Sequence, residues 1–168
     1  MANSDQPRVF TDAVILIRGS SFPRFPFEVL RLASEGKIII VATPSVLADA
    51  RFYLDELYPD GRKRLENFLT TVSVEIVDDP SRQDIVANRG LTRDPRDVEV
   101  ALAAINARVD YLISTDTDLT DLDATTEEMR ARLAPGQVMK PGEFLDRVMG
   151  WTHDQLEAIS RRRWEDLK

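Results

Sequence analysis

Short apolar runs alternate with longer segments of helical period along this chain. The strand-like runs are Arg8–Thr11, continuing as Ala13–Ile17, then Lys37–Ala42, Val72–Val77, Val109–Ser114 and Gln137–Met139. Several are continuous rather than alternating, as strands covered on both faces are. Between them Pro26–Glu35, Pro44–Leu57, Arg62–Leu69, Pro95–Ala107 and Pro141–Met149 carry apolar residues at three- and four-residue spacing. Gly36 stands where the first of these helices stops. Asp78–Leu91 is polar, with a short helix expected around Asp84–Ala87. Strands alternating with helices predict an α/β fold, a central and mainly parallel sheet of four or five strands with helices on both faces. Residues 1–150 read as one domain. Residues 151–168, after Gly150, read as an appended helix that Thr152 and Gln155 open with a capping box.

Composition narrows the chemistry. With no Cys and one His among 168 residues, a disulfide scaffold, a thiol nucleophile, a zinc ribbon and an iron–sulfur cluster are excluded. Any metal site must be built from oxygen, which suits Mg²⁺ or Mn²⁺. The net charge of −7 lacks the basic footprint of a freely nucleic-acid-binding surface, although a bound cation can bridge acidic residues to phosphate. No apolar run approaches the ~20 residues that span a membrane, and the polar N-terminus lacks a signal-peptide core. A cytoplasmic protein is expected.

Ligands of open parallel sheets bind at the carboxyl ends of the strands, so the acidic residues there are the candidate site residues. Asp12 interrupts the run Val9-Phe10-Thr11-Asp12-Ala13-Val14-Ile15-Leu16. A carboxylate in such a run must be paired, hydrogen-bonded or metal-bound, and a helix cap is the ordinary alternative. Asp97 follows the N-cap candidate Asp94 and the helix-opening Pro95, where a carboxylate also complements the helix dipole. Asp116 and Asp118 close Tyr111-Leu112-Ile113-Ser114-Thr115-Asp116-Thr117-Asp118-Leu119, beside the Ser114 hydroxyl. Asp and Thr also make ordinary loops after strands. Asp49 lies one turn beyond Ser45 in the second helix, with Asp55 and Glu56 as competitors further along it.

In this order the carboxylates resemble the PIN domain family of metal-dependent ribonucleases, over about residues 9–150. Val9-Phe10-Thr11-Asp12 is similar to the family's first-acid strand, and Ser45 to Asp49 to its second-acid helix. Asp94-Pro95-Arg96-Asp97 is similar to the third-acid helix. Val109 to Leu119 resembles the strand that ends in Thr, any residue, Asp. Pro141-Gly142-Glu143-Phe144-Leu145 resembles the start of its last helix. Val14 stands where the family usually has Asn, Asp49 where it usually has Glu, and Ser114 where it usually has Thr.

The resemblance implies a PIN-like three-layer fold and hydrolysis of RNA phosphodiester bonds at a carboxylate-held Mg²⁺ or Mn²⁺. Asp12, Asp97 and Asp116 would hold the metal, Asp49 and Asp118 would complete the acidic ring, and Ser114 would orient a carboxylate or water. It further implies the toxin of a toxin–antitoxin pair, with RNA, a cognate antitoxin and a second copy as partners. The alternative is a PIN-fold binding or regulatory protein whose weakened site acts through a protein partner. A haloacid-type reading wants a second Asp two residues after the nucleophile, where Val14 stands, and a dinucleotide fold wants a Gly-rich turn that follows no strand here. Arg62-Lys63-Arg64 and Arg161-Arg162-Arg163 are candidate rim groups for an RNA backbone, or else solvated helix faces.

Overall fold

A computed structural model describes residues 6–167. Among them β1 (Arg8–Thr11), β2 (Ile39–Ala42), β3 (Glu75–Ile76), β4 (Tyr111–Ile113) and β5 (Gln137–Met139) form one sheet. Its order is β3-β2-β1-β4-β5 and every pairing is parallel. Val9 and Phe10 of the central strand are both fully buried although they point to opposite faces, which is why this run is continuously apolar. The chain runs from β1 outward to β3, returns, and then runs outward again through β4 and β5. The direction of winding therefore switches between β1 and β4, the crevice in which open α/β sheets bind their ligands.

The Ala13–Ile17 part of the first run is helix, not strand. Asp12 takes an extended N-cap conformation, and its Oδ1 accepts the Ile15 N–H at 3.0 Å, which starts α1 (Ala13–Ser21). Ile15 and Leu16 face inward and Val14 faces out. The next two helices lie within a residue of their expected bounds: α2 covers Phe25–Ser34, and α3 covers Pro44–Leu57. The Gly36 stop takes φ +74°, with the Gly36 N–H bonded to Ala33 and the Lys37 N–H to Leu32. The following helix, α4, is longer than its apolar stripe suggests, Pro59–Thr71, and it shortens the strand after it to two residues.

Next come α5 (Arg82–Ala87), a 3₁₀ turn at Pro95–Asp97 and α6 (Val98–Ala107). Two helices absent from the sequence pattern follow β4, α7 (Thr117–Thr120) and α8 (Glu127–Leu133). The last elements are α9 (Pro141–Arg147) and α10 (His153–Ile159). Helix α1 packs on α2, α3 and α4, whereas α6 packs on α5 and α8. These two sets make the outer layers, as right-handed crossovers on either side of the switch require. Among the described residues no helix is long and apolar enough to cross a membrane.

The appendage has its capping box, but it is not one helix. After Ile159 the chain turns and ends in a 3₁₀ segment, Trp164–Leu167. Arg162 is the reason. Its guanidinium turns inward, 2.6 Å from Glu28 and 2.8 Å from the Pro23 carbonyl. Trp164 then stacks edge-on against Phe27, lies under Arg64 and donates its indole N–H to Ser21. Part of each basic run is thereby engaged in packing, while Lys63, Arg161 and Arg163 stay exposed. Arg62 binds Asp55 and Glu66, Arg64 covers Trp164, and Arg162 serves Glu28.

Candidate metal centre

Asp12 is 6% exposed at the carboxyl end of β1. Its Oδ1 caps α1 and its Oδ2 accepts a 2.5 Å hydrogen bond from the Ser114 hydroxyl, which follows β4. The capping use and a site use are thus compatible, because each oxygen keeps a free lone pair. Burial pushes the Asp12 carboxyl above its ordinary range. The two hydrogen bonds oppose that rise, and the charge of Asp116 adds to it. Ser114 Oγ also accepts the Asp116 N–H at 3.0 Å, so one hydroxyl fixes both segments.

Asp116 in turn caps α7, accepting the Asp118 N–H at 2.8 Å. Its carboxyl meets that of Asp97. Asp97 occupies the N-cap position of α6 without making the cap bond, so its side chain is not spent on the helix. Burial, then a proton shared with Asp116, then the charges of Asp116, Asp94 and Asp118 push Asp97 up to about 7. Its Oδ2 is buried without any hydrogen-bond partner. An unpaired buried carboxylate oxygen among like charges is costly unless a cation meets it.

Among the described residues, three carboxylates come together at the spacing of a metal site: Asp94, Asp97 and Asp118, with one oxygen from each within 4.8 Å of the others. Asp12 lies outside that group, and Asp116 links the two parts. Asp94 is the member that sequence reasoning missed. It is legible only as the cap of the 3₁₀ turn, which it also is, accepting the Arg96 N–H at 3.0 Å. The dense charge of Arg93-Asp94-Pro95-Arg96-Asp97 is the available signal. Asp49 stands exposed on α3 and makes no hydrogen bond or ion pair to these carboxylates.

The donors are all hard oxygens, and the Asp97 oxygen lacks a partner. This set fits a hexacoordinate divalent cation of the Mg²⁺ or Mn²⁺ kind and does not suit a soft metal.

The chain belongs to the PIN domain family, whose model matches residues 8–118. No curated protein matches it. Among solved structures it is similar to PAE2754 from Pyrobaculum aerophilum, with TM-score 0.55 and 14% identity over 86% of this chain and 97% of that one. It is also similar to VapBC2 from Rickettsia felis, solved bound to a DNA fragment from their promoter, with TM-score 0.52 and 14% identity over 79% of this chain and 98% of that one. At such identities the two likenesses show the fold.

Proposed function

We propose that this PIN domain protein is a divalent-metal-dependent endoribonuclease and the toxin of a toxin–antitoxin pair, acting in the cytoplasm. The observation that carries the reading is the meeting of Asp97 with Asp116, beside Asp12, at the winding switch of the sheet. There one buried carboxylate oxygen has no partner and one carboxyl is held protonated to about pH 7. Residues 1–150 would form the catalytic domain, and residues 151–168 an appendage docked on it.

In this reading Asp12, Asp97 and Asp116 hold Mg²⁺ or Mn²⁺. When bound, the ion neutralises charge at the scissile phosphate and lowers the pKa of a bound water. The protein's part is to keep the ligands in place. Ser114 fixes the rotamers of Asp12 and the Asp116 segment together, so little reorganisation is left for the moment of reaction. Asp118 and Asp94, each with an oxygen within 4.8 Å of one from Asp97, extend the acidic ring within reach of the same ion, and Asp49 serves at its rim. Arg18, Arg24 and Lys140 line the groove that adjoins Val14 and Thr115, and in this reading they hold the RNA backbone.

A partner reading has its own support. That groove, about 950 Å³ and mostly apolar, is walled by Phe22, Tyr53, Leu57 and Tyr58, and the last three are 49%, 62% and 39% exposed. Such surface is usually an interaction site. An antitoxin segment laid in it would cover the entrance to the acidic ring, and a second copy of the chain is the other candidate occupant.

The test is degradation of a mixed RNA pool by purified protein. Cleavage with Mg²⁺ or Mn²⁺ that stops in EDTA supports the enzyme. Intact RNA under both conditions leaves the partner reading in its place.

A further inference from the structure

The acidic ring contains its own counter-ion. Arg93 Nε donates to Asp118 Oδ1 at 2.5 Å, one terminal nitrogen donates to Asp121 at 3.0 Å, and the other lies 3.6 Å from Asp123. Asp118 is also one of the three carboxylates spaced to share a cation with Asp94 and Asp97. The guanidinium and an incoming metal ion therefore want the same carboxylate. Asp94 is similarly engaged, by Arg96 at 2.8 Å. Asp97 alone of the three is left without a basic partner, and its buried oxygen is unpaired.

We propose that Arg93 is a built-in competitor for the metal: it holds Asp118 in the metal-free protein and releases it when a divalent cation binds. The inference rests on the metal reading of the ring given above. Three features of the contact set support it. A guanidinium stays charged at every physiological pH, so the competition does not switch off. Its fork already reaches Asp121 and Asp123, so it keeps two carboxylate partners after giving up Asp118. The pair it loses is part-exposed, Arg93 at 37% and Asp118 at 29%, and part-exposed pairs are weak enough to exchange.

A merely structural Arg93 predicts the opposite sign. The pair joins the loop before α6 to α7, residues 25 apart in sequence. If its work were to hold those segments in register for the metal, removing it would weaken metal binding. If it competes, removing it tightens binding.

The experiment is Mn²⁺ titration of the full-length, metal-free protein at low ionic strength, followed by loss of the free-ion electron paramagnetic resonance signal. Arg93→Gln should bind Mn²⁺ roughly twofold to fivefold more tightly than wild type, the scale of one part-exposed ion pair. The gain should shrink in high salt. Arg93→Lys, which keeps the charge but loses the fork, should fall between the two. Arg31→Gln near the end of α2 removes the same charge from another element and should leave the affinity unchanged.

Equal or weaker binding by a folded Arg93→Gln overturns the inference, and so does an equal gain from Arg31→Gln. Should Arg93→Gln not fold, Arg93→Lys decides: tighter than wild type supports competition, equal or weaker refutes it. If wild type and both Arg93 variants all fail to bind Mn²⁺, the metal reading itself is wrong and the inference falls with it.

Discussion

The Ser114 hydroxyl donates to Asp12 Oδ2 at 2.5 Å, bridging residues 102 apart in sequence across the crevice between β1 and β4. Both side chains are buried, Ser114 completely, so the bond has no water to replace it. Ser114→Ala should cost about 1–3 kcal/mol of stability, the penalty of leaving a buried acceptor unpaired. It should also lower metal affinity by about 10-fold to 100-fold, as loss of a hydrogen bond behind a ligand does. Ser114→Thr keeps the hydroxyl and should retain both. Thermal melts and Mn²⁺ titration measure the two effects; an unchanged Ser114→Ala would separate Asp12 from the metal.

The raised Asp97 carboxyl gives the metal-free protein a pH signature. Its folded pKa of about 7 lies above the ordinary 3.8, so between those values the folded state binds more protons than the unfolded one. Stability contributed at this site is therefore full below about pH 4 and is lost as pH rises to about 7. In EDTA, the melting temperature of Asp97→Asn should gain on wild type as pH rises from about 4 to about 7. Added Mn²⁺ should stabilise wild type and not the variant. A pH-independent difference between the two proteins would mean that Asp97 is neither buried nor crowded by the neighbouring carboxylates in solution.

Arg162 and Glu28 make an ion pair with 13% and 6% of their side chains exposed. Arg162→Ala leaves buried Glu28 with only the longer 3.5 Å contact to Arg31, a loss toward the lower end of about 3–5 kcal/mol, which lowers the melting temperature by about 10 °C. Removal of residues 151–168 should do at least as much, since Trp164 leaves with them. A melting temperature unchanged by either alteration would show that the appendage is loose.

Asp49 is one methylene short of the family's usual Glu and is exposed on α3. Asp49→Glu should leave stability within about 0.5 kcal/mol, as surface changes do. It should preserve or raise RNA cleavage. A fall in rate with Glu in place would remove Asp49 from the ring.

The alternation of strands with helices and the importance of Asp12 are readable in the sequence, the latter because a carboxylate inside an apolar run demands a partner. The start of α1 is not readable. Ala13–Ile17 is apolar at every position, and only the Asp12–Ile15 cap distinguishes helix from strand there. Helix α8 escapes for the reverse reason: Met129 and Leu133 are its only buried residues, a stripe too narrow to see. Asp97 and Asp116 can be named from their local motifs, whereas their contact cannot, being set by how α6 returns to the sheet. The meeting of Arg93 with Asp118 and of Asp94 with Asp97 and Asp118 is tertiary, and only the local Asp94 cap and the dense charge mark the segment. Arg162 reads as a rim cation in the sequence, and the fold places it against a buried glutamate that nothing local announces.

In the proposed reading the Asp97–Asp116 pair, beside Asp12, holds the metal with which RNA is cut. The most direct measurement compares wild type and Asp116→Asn in Mn²⁺ binding and in cleavage of a radiolabelled RNA, both at pH about 7.5, above the raised Asp97 pKa. Asp116→Asn removes a charge with almost no change of shape. Wild type should bind Mn²⁺ and cleave only in its presence, and Asp116→Asn should fold normally while losing both. A folded Asp116→Asn that binds Mn²⁺ and cleaves as wild type does would contradict that reading.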